Sequence, residues 1–188
     1  LDIDAKDLRV ITTDVGGGFG MKIFNYPEYI CALFAAKKIS RPVKWISDRS
    51  EAFLSVTHGR DHVTKAKMAL DKDGIFTGIK INTTANMGAY LSNFAIFIPT
   101  LAGTAMLAGC YKTPAIYVNV LGVFTNTPAI DAYRGAGRPE ASFVIERLVD
   151  VAGIKTGLGP IEIRRRNLIP SSEMPYKTAL NHTYDSGD

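Results

Sequence analysis

Two glycine-rich segments, residues 14–20 and 132–138, constrain most strongly what this chain can fold into. The first contains Gly-Gly-Gly-Phe-Gly over residues 16–20, and the second contains Arg-Gly-Ala-Gly-Arg over residues 134–138. Because glycine has no Cβ, such loops let backbone N–H groups approach a ligand closely and point to one side. The pattern favours binding of an oxyanion, a phosphate or a metal-oxo group, although a purely structural tight turn would use the same residues.

The first loop joins a predicted strand, residues 8–13, to a helix predicted to begin at Pro27 and to end near Ser40. Proline is favoured at the first helical position, and a helix start adds partial positive charge for an anion. A dinucleotide-binding fingerprint counted from Gly16 would need glycine at Met21. No Gly-Lys-Ser/Thr sequence follows the loop either, so neither common nucleotide-binding motif is present.

The second loop places two arginines, Arg134 and Arg138, beside flexible glycines and ahead of a predicted helix. A guanidinium group offers a planar fork of donors that matches oxyanions. The alternative interpretation is that either arginine simply forms an ion pair with Glu140 or Glu146. The sequence alone does not separate these two interpretations.

Strand patterns recur in the middle of the chain. Residues 62–70 and 75–85 alternate, and an Asp-Gly turn at 71–74 predicts that they form a hairpin. Further strands are predicted at 43–46, with Trp45 as a core residue, and at 116–124.

Helical patterns lie between and after these strands, and Ser50 is a plausible cap for the shortest of them. The segments predicted to be helical are 50–54, part of an apolar buried stretch at 94–108, 139–152 and 160–167, and an extended tail that docks elsewhere is predicted at 170–188. These elements predict an α+β fold, with a mixed or antiparallel sheet, hairpins and packed helices.

Composition excludes several classes of protein. The net charge of +4 is too small and too scattered to indicate a nucleic-acid partner. The longest apolar stretch, residues 94–110, is broken by Pro99 and Gly103 and falls short of a membrane span. We expect a cytoplasmic setting, and the start at Leu1 suggests a piece of a longer protein.

Metal ligation by the side chains of this chain has little support. Cys31 and Cys110 lie in apolar runs and are predicted to be buried free thiols, with a disulfide as the minority alternative. No Cys-x-x-Cys spacing exists for an iron–sulfur or zinc site. His58 and His62 are four residues apart but are separated by Gly59, so a surface pair is favoured over a metal site.

The two loops, taken together, resemble those of the molybdenum-binding large subunit of the xanthine dehydrogenase/aldehyde oxidase family. The similarity extends over nearly the whole chain in order, and its branch is that of aerobic carbon monoxide dehydrogenase-like large chains. The supporting segments are Gly-Gly-Gly-Phe-Gly at 16–20, Arg-Pro-Val-Lys-Trp at 41–45, Cys-Tyr-Lys-Thr-Pro at 110–114, Ala-Tyr-Arg-Gly-Ala-Gly-Arg-Pro-Glu at 132–140, Glu-Arg-Leu-Val-Asp at 146–150 and Arg-Arg-Arg-Asn-Leu at 164–168.

The resemblance implies that residues 1–188 are a fragment of a molybdopterin-binding domain. It implies that the backbone N–H of Phe19 donates to an oxo ligand of molybdenum, and that Arg134 lies at the molybdenum site. The residues implied to bind the cofactor are Gly17, Gly18, Phe19, Gly20, Arg134, Gly135 and Ala136. None of them is implied to ligate the metal directly.

Departures from the family pattern bear on the substrate. Gly135 stands where carbon monoxide dehydrogenases carry a copper-binding cysteine, so copper and carbon monoxide oxidation are placed in doubt. Ile23 and Ala136 stand where xanthine-type enzymes carry a glutamate and an aromatic residue that hold purines. An aldehyde or an N-heterocycle is therefore the better hypothesis for the substrate.

The resemblance also implies what this chain lacks. The catalytic base of the family is a glutamate in a late Gly-Glu motif that these residues do not contain, so no catalytic residue is assigned here and the fragment alone is expected to be inactive. Iron–sulfur centres and FAD are expected on partner subunits or domains, and the pterin is expected to be the cytosine dinucleotide form. Two alternatives stay open: a non-catalytic scaffold or anion-binding domain, and a nucleotide-phosphate site in which Arg134 is dispensable.

Overall fold

The computed structural model describes residues 3–187, so Leu1, Asp2 and Asp188 of the predicted 1–188 domain lie outside the described part. Within it, the fold is a small mixed sheet with helices packed on one face, which confirms the predicted α+β class. The elements are α1 (Pro27–Ile39), α2 (Arg49–Ser55), β1 (His62–Leu70), β2 (Phe76–Gly88), β3 (Ile116–Phe124), α3 (Arg138–Thr156), α4 (Gly159–Asn167), β4 (Tyr176–Lys177) and β5 (Thr183–Tyr184).

The sheet has the order β1-β2-β3, with β1 antiparallel and β3 parallel to the central strand β2. The predicted hairpin is confirmed, and its turn is closed by Asp71, whose Oδ1 accepts hydrogen bonds from the N–H groups of Asp73 and Ile75 at 2.9 Å each. The parallel pairing of β2 and β3 needs a crossover, because both strands run in the same direction. Residues 89–115 provide it and include a single π-helical segment at Ile98–Ala102.

Helix α3 buries one stripe against the sheet. Its buried residues include Ala141, Ile145, Val149 and Ala152, which follow the spacing of a single helical face. They pack with residues of β2, including Ile81, in the main core cluster. The helix predicted at 139–152 is thus confirmed and is longer than expected by one residue at its start and four at its end.

Ion pairs of one arginine connect helix α4 to helix α3. Arg164 contacts Glu146 at 2.6 Å and Asp150 at 2.9 Å, and these carboxylates raise the pKa of the guanidinium, chiefly through the hydrogen bond to Glu146. Arg166 also makes an internal contact, since it donates to the carbonyl of Asp73 at 2.6 Å.

Asn167 joins the hairpin turn to the end of α4 inside the core. Its Oδ1 accepts from the N–H of Phe76 at 2.7 Å, and its Nδ2 donates to the carbonyls of Gly74 at 2.9 Å and Ile163 at 2.8 Å. The side chain is fully buried, so none of these backbone groups can exchange its partner for water.

The predictions of a strand at 8–13 and of another at 43–46 are wrong. Neither segment joins a sheet within the described residues. Val10, Ile11 and Ile46 are exposed, which shows that the apolar alternation has no covering layer here. Strand propensity reports how well a side chain fits a pleated surface, so it is not realised without a partner strand.

Several smaller expectations also need correction. The cap of α2 is Asp48, whose Oδ1 accepts from the N–H of Glu51 at 2.8 Å, and not Ser50, which lies inside the helix. Trp45 lies outside any strand and is partly exposed, against the ring of Tyr29. Cys31 and Cys110 are free, as predicted, but both are exposed.

Two broader segments were predicted in part. The stretch 94–108 is partly helical, with Ala95, Ile98 and Ala102 buried, while Ile96 and Leu101 face outward. The tail at 170–188 is not fully extended, because β4 and β5 pair as a small antiparallel ladder. It docks on this same chain through Tyr184, whose hydroxyl donates to the carbonyl of Gly109 at 2.6 Å.

We expect Asn167→Ala to lower the free energy of unfolding by about 2–3 kcal/mol, because it leaves buried backbone donors and acceptors unsatisfied. Chemical denaturation measures the change. Arg165→Ala, on the exposed face of the same helix, is the matched control and should stay within about 0.5 kcal/mol of the parent. Equal effects of the two substitutions would contradict the role assigned to Asn167.

Candidate functional site

The second glycine loop is anchored at both ends. Asp131, fully buried, accepts hydrogen bonds from the N–H groups of Ala132 at 2.6 Å and Phe94 at 3.1 Å. At the other end the loop runs directly into α3, whose cap is Gly137 with φ 93°. The loop is therefore held in place from both sides.

The first loop packs directly against the second. The N–H of Arg134 donates to the carbonyl of Phe19 at 2.9 Å, although 115 residues separate them in sequence. The guanidinium of Arg134 lies 5.9 Å from the centre of the Phe19 ring, within cation–π range. The structure thus brings together the two segments that the sequence singled out.

Gly20 is the close-packing point between the loops. Its φ is 91°, and a Cβ at this position would lie 2.7 Å from the carbonyl oxygen of Ala132. A side chain here would push the loops apart. Gly17 is required for a local reason, since its φ is 108° and a Cβ would lie 2.9 Å from the Phe19 ring of the same loop.

Gly18 has no such requirement from the protein itself. A Cβ at this position would have as its nearest neighbour the Cβ of Lys22 at 3.8 Å, which is ordinary contact, and its φ lies outside the left-handed region. A Cβ on Gly16 would likewise meet no atom within 4 Å. The loop therefore leaves room beside Gly18 that its own packing does not use. Such room is expected of a loop that binds an external group.

Several hydrogen-bond donors of the two loops have no protein acceptor. Within residues 3–187, no hydrogen bond uses the backbone N–H of Gly18, Phe19, Gly20 or Gly135. The guanidinium of Arg134 likewise forms no ion pair or hydrogen bond in the described part of the chain. A set of free N–H donors with one arginine suits an anionic group rich in oxygen.

The alternative pairing of the loop arginines is not realised. Glu140 lies 3.7 Å from Arg60, and Glu146 is engaged by Arg164. Arg138 donates to the carbonyl of Ala136 at 3.1 Å and so closes the loop on itself. Both carboxylates are therefore occupied by arginines that sequence reasoning had not paired with them.

Two non-glycine residues of the loops adopt left-handed backbone conformations. Phe19 has φ 50° and Ala136 has φ 40°, and such residues cost on the order of 1–3 kcal/mol each when the surroundings hold them. Gly135, between Arg134 and Ala136, has φ 92°. Both loops therefore contain a strained backbone position, Phe19 in the first and Ala136 in the second.

Helix α1 begins at Pro27, as predicted, and a segment in which Phe24 and Tyr26 are buried separates it from the first loop. The second loop runs directly into a helix start, since α3 begins at Arg138, and such a start adds partial positive charge for an anion.

Arg60 belongs to this site and was missed from the sequence. It donates to the carbonyls of Tyr133 at 2.9 Å and Arg134 at 2.8 Å, across more than seventy positions of sequence. No local pattern marks Arg60, because its partners are backbone atoms of a distant loop.

His62 stands beside this arginine at the start of β1. Burial lowers the pKa of its imidazole most strongly, and Arg60 lowers it further, while Glu140 and Asp61 act in the opposite direction. His58, the other member of the predicted pair, contacts the carbonyl of Phe53 through Nε2 at 3.0 Å. Residues 3–187 contain no group of three or more His, Cys, Asp or Glu side chains that could hold a metal ion.

The family is shown by comparison with known proteins. Residues 1–168 match the model of the molybdopterin cofactor-binding domain. The chain therefore belongs to the family of molybdopterin cofactor-binding domains, as the two loops indicated.

Individual relatives agree in sequence and in structure. The chain is 37% identical over 191 residues to the carbon monoxide dehydrogenase large chain of Hydrogenophaga pseudoflava, covering 99% of this chain and 23% of that one. It is 34% identical to the 6-hydroxypseudooxynicotine dehydrogenase complex subunit gamma of Paenarthrobacter nicotinovorans, covering 100% and 24% respectively. The crystal structure of quinoline 2-oxidoreductase from Pseudomonas putida 86 superposes with a TM-score of 0.87 at 36% identity, covering 92% and 22%.

The chain thus spans about a quarter of the length of the relatives it matches. None of the helices in the described residues is both long enough and apolar enough to cross a membrane.

Two glycine substitutions should separate packing from ligand space. We expect Gly20→Ala to lower the free energy of unfolding by about 1–3 kcal/mol, because of its left-handed backbone and its contact with Ala132. Gly18→Ala should change it by less than about 0.5 kcal/mol. Denaturant titration of both variants measures this, and a strongly destabilised Gly18→Ala would show that the room beside Gly18 is filled by the protein.

The pH dependence of stability should carry the signature of His62. Because the folded pKa is lowered, the unfolded chain binds the proton more readily, so stability is complete above the ordinary value of 6.5 and falls as the pH drops below it. The loss between pH 7.5 and 5.5 should be smaller in His62→Gln than in the parent. Parallel pH profiles of the two proteins would contradict the assigned shift.

Proposed function

We propose that this chain is the cofactor-binding segment of a molybdenum hydroxylase, in which the two glycine loops together hold the molybdenum end of a molybdopterin cofactor. The observation that carries the proposal is the set of N–H donors from both loops that have no acceptor within residues 3–187. The open space beside Gly18 supports it, because nothing in the protein itself requires glycine there.

In this proposal the chain binds and orients the cofactor. Phe19 would donate its backbone N–H to an oxo ligand of the metal, and Gly18 would leave room for the close approach, while Gly20 lets the two loops pack together. Arg134 presents its free guanidinium to the anionic group, and Gly135 and Ala136 face the metal or the substrate. The cofactor itself supplies the redox chemistry, while the protein supplies preorganised donors.

The overall reaction would be hydroxylation of an electron-poor carbon: a C–H bond is replaced by C–OH, water supplies the oxygen, and two electrons and two protons leave. We propose an aldehyde or an N-heterocycle as the substrate. The names of two relatives, quinoline 2-oxidoreductase and the 6-hydroxypseudooxynicotine dehydrogenase complex subunit gamma, support the second class. Gly135, in place of the copper-binding cysteine expected for carbon monoxide oxidation, argues against that gas.

The remaining parts of such an enzyme would lie outside this chain. We propose that the electrons pass to iron–sulfur and flavin subunits or domains, and that the catalytic base comes from another part of the large subunit. The cytosine dinucleotide form of the pterin and a cytoplasmic location complete the proposal. This chain would then serve as the docking site for the cofactor and would have no activity alone.

Metal analysis of the protein that carries this chain, purified from its own host, tests the proposal. We expect close to one molybdenum and no copper for each copy of this domain. A protein without molybdenum, from a host with an intact cofactor pathway, would favour the scaffold alternative. Stoichiometric copper would overturn the conclusion drawn from Gly135.

Two substitutions test the assigned roles in that protein. Arg134→Ala should lower kcat about 100-fold or more with the fold intact, because it removes a preorganised donor. Gly18→Ala should reduce the molybdenum content while thermal stability is unchanged. Full activity of Arg134→Ala would show that the second loop does not face the metal. Normal metal content in Gly18→Ala would contradict the proposed close approach of the cofactor to Gly18.

A further inference from the structure

We infer that Arg60 is a positioning residue for the second glycine loop, and that Glu140 holds Arg60 in place for that task. The inference rests on the proposed function for its catalytic consequence, but its structural part concerns this chain alone. Neither residue is among those assigned to bind the cofactor.

The contacts of Arg60 form a two-point clamp. Its two terminal nitrogens donate to the carbonyls of Tyr133 and Arg134, at 2.9 and 2.8 Å, and its guanidinium lies 5.1 Å from the centre of the Tyr133 ring. A planar guanidinium can span two successive carbonyls, whereas a lysine ammonium is a single point of charge. The clamp therefore fixes the orientation of the peptide groups on either side of the Arg134 Cα.

Glu140 supplies the counter-charge from the first turn of α3. Its carboxylate lies 3.7 Å from Nε of Arg60, and neither of its oxygens has a hydrogen-bond partner or measurable solvent exposure within the described structure. A buried carboxylate without hydrogen bonds is costly unless a positive charge lies close by. Arg60 thus connects the loop to the helix that follows it.

The backbone of Arg60 is itself held from the sheet. Arg60 and Asp61 both have left-handed φ values, 70° and 62°, which require support from their surroundings. The support comes from Asn86 near the end of β2, whose Nδ2 donates to Oδ2 of Asp61 at 2.6 Å and whose backbone N–H donates to the Asp61 carbonyl at 3.1 Å. Contacts with the central strand β2 therefore hold the backbone next to Arg60 in place.

The consequence is an ordered chain of contacts from the sheet to the loops. Asn86 holds Asp61, Arg60 holds the Arg134 carbonyl, and the Arg134 N–H holds the carbonyl of Phe19. The hydrogen bond from Arg134 to Phe19 therefore connects the first loop to this chain of contacts. Loss of Arg60 should leave the donors present but poorly aligned, and misplacement of about 1 Å can lower a rate about 100-fold.

The test compares Arg60→Ala, Arg60→Lys and Glu140→Gln in the protein that carries this chain, with Arg165→Ala as the exposed-arginine control. The first readout is hydrogen–deuterium exchange of residues 132–138 in cofactor-free protein. We expect exchange there to be about tenfold faster in Arg60→Ala, intermediate in Arg60→Lys and Glu140→Gln, and unchanged in the control. Exchange in the β1–β2 hairpin should stay at the parent rate.

The second readout is kinetic and is normalised to bound molybdenum. We expect kcat per molybdenum to fall about 10- to 100-fold in Arg60→Ala while KM changes less than about threefold, because alignment and not substrate binding is lost. A role in folding alone would lower the molybdenum content or the Tm and leave kcat per molybdenum unchanged, and that result would overturn the inference.

The outcomes separate the two proposals. Molybdenum-free parent protein would end the proposed function, while loop exchange would still decide whether the clamp exists. If Arg60→Ala does not fold, Arg60→Lys decides, because it keeps the charge facing Glu140 and cannot span both carbonyls. Parent-like loop exchange in Arg60→Lys, or in a folded Arg60→Ala, would overturn the clamp.

Discussion

The hydrogen bond from the N–H of Arg134 to the carbonyl of Phe19 is the contact on which the site depends. It joins two loops that are remote in sequence, and the close approach at Gly20 makes it possible. With this contact in place, the backbone N–H groups of Gly18, Phe19, Gly20 and Gly135 have no acceptor within residues 3–187. Free donors of this kind bind an anionic ligand well because their alignment does not have to be created at the moment of binding.

The rest of the fold holds the residues of this contact in place. The second loop runs into α3, whose buried stripe packs on β2, and α4 is held on α3 by the ion pairs of Arg164. Asn86 near the end of β2 holds Asp61 and so supports Arg60. Strain at Phe19 and Ala136 can persist because both loops are fixed from the helix and the sheet at once.

Local patterns predicted the elements whose partners lie nearby or whose faces are buried in this chain. Turn residues and periodic apolar positions are features of consecutive residues, so the sequence shows them directly. They predicted the hairpin of β1 and β2, the strand β3 and the helices α1, α3 and α4. The strands expected at 8–13 and 43–46 were wrong, because a strand needs a neighbour and none of the described residues provides one. Free cysteines were predicted correctly, but their burial was not.

The sequence by itself determined the family, through two glycine loops whose residue types suit an oxygen-rich anion, and it identified Phe19 and Arg134 as the residues to examine. Only the tertiary structure decided that the loops touch, that Gly20 is needed for packing while Gly18 is not, and that Arg60 holds the second loop. The physical reason is that these contacts join backbone atoms far apart in the chain. Every residue has a backbone carbonyl, so the residue type does not show which carbonyl accepts a given hydrogen bond. Only the folded structure shows the partner.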